Sequence, residues 1–230
     1  NTFGSNQPRQ KHGKYSPAAL AVAGVRLVRE AIAASGRLAF AALDIGPLGE
    51  FLEPLGDLTP EEAEAYFREP VEAGAAAGAD CILIETMGAL DEALCAVRAA
   101  KTYGGGLPVL CTLTYDGRGN ILTGEPVESV VAALEEAGID ALGCNCGAGP
   151  EDLVALLPRF AACAHKPLVM QPNAGLPEYR DGQTVYLCGP EAFAIEMGQL
   201  ASGGVWGLGG CCGTTPEHIA RISSMIHQKR

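Results

Sequence analysis

Val205-Trp206-Gly207-Leu208-Gly209-Gly210-Cys211-Cys212-Gly213-Thr214-Thr215-Pro216-Glu217 places a short apolar run, a glycine-rich turn with two thiols and a helix start in direct succession. Proline at the first helical position sacrifices no hydrogen bond, and glutamate suits the positive end of the helix dipole. The stretch therefore reads as one strand-turn-helix unit. The same order recurs upstream, with apolar runs at Leu38 to Leu43, Cys81 to Glu85, Val109 to Thr114, Ala141 to Cys146 and Leu168 to Gln171. Helix-start signals follow them at Thr59-Pro60-Glu61-Glu62, Asp91-Glu92, Glu125-Pro126-Val127-Glu128, Pro150-Glu151-Asp152 and Pro190-Glu191. Such alternation predicts an α/β protein with a parallel sheet and helices outside it.

Periodicity alone does not separate an open sheet from a closed barrel. Polar and reactive residues gather at the C-terminal ends of the runs: Glu85, Tyr115 with Asp116, Cys146, and Cys211 with Cys212. In a (β/α)8 TIM-type barrel all those ends share one face, where active sites are built, so the barrel is the expected fold. Counted back from the last run, Cys146 ends the sixth strand and the cysteine pair the eighth. Alternate strands feed the same interior layers, which lets these thiols meet. Asn1-Thr2-Phe3-Gly4-Ser5-Asn6 reads as the tail of an earlier strand. The expectation is one barrel domain over residues 1–230, lacking the N-terminal first strand, first helix and most of the second strand.

The sequence holds nine cysteines. Free cysteine commonly serves as a small buried hydrophobe, which is the expectation for Cys81, Cys95, Cys111, Cys163 and Cys188 in their apolar or helical settings. Cys211 and Cys212 differ, because neighbours in an extended strand point to opposite faces whereas flanking glycines allow both to turn inward. With Cys146 they make three thiolates and leave one position open, the pattern of a catalytic zinc site. A vicinal disulfide is the alternative for the pair. Cys144 lies two residues before Cys146, and strand-end placement favours Cys146. His218 sits in a helix starting near Pro216, which carries it away from the site.

Apolar residues make up 48% and charged residues 19%, with a net charge of −11. That charge argues against nucleic acid or an anionic membrane as partner, and favours a small ligand. No apolar stretch has the length of a membrane span, and no basic-then-apolar leader pattern opens the chain. Many thiols without an evident disulfide framework fit a reducing cytoplasm.

Gly143-Cys144-Asn145-Cys146 and Gly209-Gly210-Cys211-Cys212-Gly213-Thr214, together with Asn1-Thr2-Phe3-Gly4, Gly46-Pro47 and Ile84-Glu85-Thr86, resemble the zinc-dependent homocysteine S-methyltransferases along the whole chain. Gln171-Pro172-Asn173-Ala174-Gly175-Leu176-Pro177, followed by Tyr186, is most similar to the homocysteine-binding module of cobalamin-dependent methionine synthases. The resemblance implies methyl transfer to the thiol of homocysteine, giving methionine, with Zn2+ on Cys146, Cys211 and Cys212. It further implies that Glu85 binds the substrate amino group, that Asn173 takes the fourth zinc position when substrate is absent, and that Asn1 and Thr2 belong to the substrate-binding segment. No Asp-x-His-x-x-Gly corrinoid-binding segment occurs, so a methylcobalamin donor would arrive on another protein or module. The family's first-strand Asp-Gly-Ala-type motif is not in this chain.

Three other readings stand beside this one. A different thiol acceptor, or S-methylmethionine or betaine as donor, keeps the chemistry and changes the reactants. A non-catalytic barrel would bind zinc or dock with a corrinoid protein. An aldolase-like barrel would bind phosphate at Gly203-Gly204 and Gly207 to Gly210, but no Schiff-base lysine ends a strand; Lys101 and Lys166 lie in or just after helices.

Overall fold

The computed structural model describes residues 1–147 and 149–228. The chain forms two compact units, residues 1–111 with 136–140, and residues 112–135 with 141–230.

In the first unit α1 (Pro17–Ser35) precedes β1 (Ala42–Ile45), α2 (Pro60–Ala76), β2 (Cys81–Met87) and α3 (Leu90–Tyr103). Strands β1 and β2 pair in parallel, with Asp44 opposite Leu83 and Ile45 opposite Ile84. The start of β3 (Val109–Leu113) lies beside β2, where Ile82 N–H donates to Pro108 O at 2.9 Å. Leu43, Ile45, Ile82 and Ile84 are fully buried on one face of this sheet. A Cβ on Gly74 would strike Leu43, so that glycine allows α2 to approach β1 closely. The alternate face carries Asp44, Leu83 and Glu85, as the two-residue period of a strand requires. Thr59 and Glu62 close a reciprocal capping box at α2, with Pro60 in the first turn.

Strand β1 begins later than the apolar run Leu38 to Leu43 suggests. Asp80 anchors the start of the ladder, accepting Ala41 N–H on its carboxylate and donating its own N–H to Ala41 O, both at 2.7 Å. Leu38 and Phe40 precede that clamp and are 90% and 70% exposed. Apolar character marked the neighbourhood of the strand, but the clamp sets where pairing starts.

The second unit holds the end of β3, then α4 (Val127–Glu136), β4 (Ala141–Asn145), α5 (Pro150–Cys163), β5 (Leu168–Gln171), β6 (Pro177–Arg180), β7 (Gln183–Tyr186), α6 (Pro190–Ser202), β8 (Gly207–Leu208) and α7 (Pro216–Gln228). The order within it is β3-β4-β5-β8, and β4-β5 and β5-β8 run parallel. All six runs expected as strands are strands, each leading to a helix, as in the TIM-barrel class of α/β folds. The antiparallel hairpin β6-β7 is an addition to that expectation. Its signal was present: Asp181-Gly182 joins two short alternating segments, and both residues take positive φ, 49° and 80°.

Among the described residues no helix is long and apolar enough to cross a membrane. All nine cysteines are free thiols.

Candidate metal centre

Three loops of the second unit bring the thiols together. Cys146 N–H donates to Gln171 O at 3.1 Å, so pairing with β5 continues one residue past β4. Cys146 and Gly147 then take left-handed φ values of 59° and 65°. For a residue with a Cβ this conformation is uncommon outside tight turns. It breaks strand alternation, and Cys146 parts company with Cys144. The latter is wholly buried, and burial pushes its thiol up to about 12.

After β8 the chain continues beside the segment following β5. Gly209 N–H donates to Met170 O at 3.1 Å and Cys211 N–H to Pro172 O at 2.8 Å. A turn closes when Thr214 Oγ1 donates to Cys211 O at 2.7 Å, with Gly213 at φ 78°. Asn173 Oδ1 accepts Cys212 N–H at 3.0 Å, and Cys212 O accepts Ala174 N–H at 2.9 Å. Both cysteines are therefore pinned by backbone bonds while their sulfurs turn to Cys146. The Cys146 and Cys212 sulfurs are 3.8 Å apart and those of Cys211 and Cys212 4.0 Å apart. All three lie within 4.8 Å of one another, a set that could hold a metal ion.

The three sulfurs share charge unequally. A hydrogen bond from Cys211 draws the Cys146 thiol down to about 5 against the cost of burial, with help from Gly147 N–H, Cys212 and Asn173. The same bond, followed by burial, pushes the Cys211 thiol upward. Tyr186 of β7 lies against Gly213, where an added Cβ would run into its ring, next to Cys212. Burial first, and then the nearby Cys212, raise the Tyr186 phenol.

His218 lies outside this cluster. Its Nδ1 accepts Thr215 N–H at 3.1 Å, which leaves Nε2 to donate to Cys188 O at 2.9 Å. The ring is buried edge-on against Phe193 and caps the start of α7. Gln171 Oε1 is buried with no hydrogen-bond partner among the described residues.

The other residues singled out in the sequence lie in the first unit. Thr2 is buried, and its Oγ1 donates to Asp44 O at 2.7 Å and accepts Asp44 N–H at 2.9 Å. Gly46 N–H donates to Phe3 O, so residues 2–3 run along the end of β1. Asn1 is exposed and its Oδ1 accepts Phe3 N–H at 3.0 Å. Glu85 is half-buried in β2, which runs two residues past it to Met87, and lies on the same sheet face as Asp44. Burial first, and then Glu85, push the Asp44 carboxyl from 3.8 up to about 7. Asp44 Oδ1 is buried without a partner among the described residues. Sequence reasoning passed over Asp44, although a carboxylate closing an apolar run was its visible mark. Asn145 and Tyr186 stood inside quoted motifs without a role, because through-space contact alone ties them to the sulfurs.

Fold, thiol cluster and motifs agree with one class of protein: the chain belongs to the homocysteine S-methyltransferase family, whose family model matches residues 1–226. Over 154 residues it is 34% identical to the methionine synthases of Mycobacterium leprae (strain TN) and Mycobacterium tuberculosis (strain ATCC 25618 / H37Rv), covering 65% of this chain. It spans only 13% of the length of those relatives. The homocysteine methyltransferase MmuM from Escherichia coli, solved in its metallated form, superposes with a TM-score of 0.80 at 25% identity, over 97% of this chain and 77% of that one.

Proposed function

We propose that residues 1–230 act as one homocysteine-binding domain in which Cys146, Cys211 and Cys212 hold zinc and a methyl group passes to the substrate thiol, giving methionine. The observation that carries this reading is the convergence of three thiols. Sulfurs about 2.3 Å from zinc in tetrahedral array stand about 3.8 Å apart, and two of the sulfur pairs here are 3.8 and 4.0 Å apart. When bound, zinc supplies a Lewis acid that keeps a substrate thiol ionised at neutral pH without a strong base.

The chain's own residues do the rest. Three cysteine thiolates leave one position open and keep the local charge negative, which favours an electron-rich substrate sulfur. As that sulfur bonds to the methyl carbon, the donor's bond to the carbon breaks and its electron pair leaves with the donor. Asn173 is assigned the fourth position when substrate is absent. Support comes from its place between the thiols, and from the second lone pair that its amide oxygen keeps after accepting Cys212 N–H. Glu85 is assigned the substrate ammonium, since two neighbouring carboxylates, Glu85 and Asp44, favour a cation. Thr2 holds the backbone at Asp44, and Asn1 orders the turn before it.

Methylcobalamin on another protein or module is the assigned donor, supported by the match to methionine synthases of which this chain spans a small part. A cytoplasmic setting suits nine free thiols. Metal analysis of fresh, reduced protein should find about one zinc per chain with three sulfur ligands near 2.3 Å, and methylcobalamin with homocysteine should yield methionine. Absence of zinc would sink the reading. Methionine formed from S-methylmethionine but not from methylcobalamin would reassign the donor.

A further inference from the structure

The thiol cluster receives a side-chain hydrogen bond from outside itself at Cys211. Cys211 is served from the core side. Asn145, the last residue of β4, is fully buried and directs Nδ2 at Cys211 Sγ, 3.8 Å away. Its Oδ1 accepts from the hydroxyl of Thr112, also fully buried, at 2.8 Å. Thr114 Oγ1 donates to the Asn145 backbone oxygen at 3.1 Å. A buried amide group needs partners on both its oxygen and its nitrogen. With the Thr112 hydroxyl satisfying the oxygen, the nitrogen is left facing sulfur. The reverse orientation would set the amide oxygen against a thiolate, acceptor against acceptor.

We propose that Thr112 and Asn145 form a positioning relay for Cys211: the threonine hydroxyl fixes the amide, and the amide N–H holds the sulfur in its ligating orientation and draws off part of its charge. The proposal rests on the reading that the three thiols hold zinc. Both residues act through Cys211 and need no contact with substrate. Neighbours of this kind commonly change metal affinity by about 10- to 100-fold when removed.

The test uses the whole, reduced chain stripped of metal, as parent, Thr112→Val and Thr112→Ser. Valine keeps the shape of threonine and loses the hydroxyl; serine keeps the hydroxyl. Zinc affinity is read by competition with a chelator, and the sulfur-to-metal charge-transfer band by absorbance after loading with Co2+. Thr112→Val should weaken zinc binding by about 10-fold or more and move the band to lower energy, because a sulfur without its N–H donor gives up charge more readily. Thr112→Ser should restore both. Asn145→Ala, which removes the donor itself, should shift the band in the same direction and serves if the valine variant does not fold. A role in packing alone would lower thermal stability and leave the band in place, and that result overturns the proposal. So does a serine variant that behaves like valine. A parent chain that shows no thiolate-to-cobalt band overturns the zinc reading along with this one, whereas an unaltered Thr112→Val beside a normally loaded parent overturns the relay alone.

Discussion

Replacing Glu92 by Gln should make the stability of this protein less dependent on pH, by an amount the structure supplies. Glu92 stands in the first turn of α3, almost fully buried, and its Oε1 accepts Leu48 N–H at 2.6 Å in the loop after β1. Burial dominates, pushing its carboxyl from 4.5 up to about 7 although the Leu48 N–H pulls the other way. A carboxyl whose folded value is raised binds its proton more tightly in the native state than in the unfolded chain. Native stability is then greatest below about 4.5, falls as pH rises through about 7, and is level above that. At 1.36 kcal/mol per pH unit the window amounts to about 3 kcal/mol. Glutamine is neutral throughout and retains a carbonyl oxygen for Leu48 N–H. Urea unfolding followed by far-UV circular dichroism at several pH values between 4 and 8 measures the effect. The stability of Glu92→Gln relative to the parent should rise by about 3 kcal/mol across that range. Other titrating groups, Asp44 included, cancel in the difference. A relative stability that stays level with pH would refute the argument and place the Glu92 charge in contact with water.

Cysteine replacements should divide sharply by position. Cys211→Ala, Cys212→Ala and Cys146→Val are expected to abolish stoichiometric zinc binding and methyl transfer, whereas Cys95→Ala, Cys163→Ala and Cys144→Val keep both; metal analysis of each purified variant decides, and zinc lost from Cys144→Val but kept in Cys146→Val would mean the wrong one of these two neighbouring sulfurs has been assigned. Gly213→Ala places a Cβ at φ 78° and against the Tyr186 ring. It should cost about 1–3 kcal/mol in urea unfolding and weaken zinc binding through Cys212; unchanged values in both measurements would show that the hairpin yields freely.

Local chemistry was enough for much of this molecule. Proline, threonine and acidic residues at Thr59-Pro60-Glu61-Glu62, Pro150-Glu151-Asp152 and Thr215-Pro216-Glu217 mark helix starts because they act on N–H groups within one turn of themselves, and the helices begin at Pro60, Pro150 and Pro216. Strand existence was equally plain from short apolar runs. Strand ends were not, since the start of β1 depends on Asp80 reaching back to Ala41 across the ladder. The hairpin at Asp181-Gly182 was readable and lay hidden only because the alternation of strand and helix left no place for it.

The thiols divide along the same line. Adjacent cysteines between glycines, and a third cysteine closing an apolar run, raise the expectation of a metal site through residue type and spacing alone. Their approach to 3.8 and 4.0 Å comes from elsewhere: from a left-handed turn at Cys146, and from bonds that tie Cys211 and Cys212 to Pro172, Asn173 and Ala174 some forty residues earlier in the chain. Thr112, Asn145 and Tyr186 join the site in the same way. Hydrogen bonds and sulfur contacts act over a few ångströms of space whatever the distance along the chain, so folding alone could bring those side chains to the sulfurs they serve.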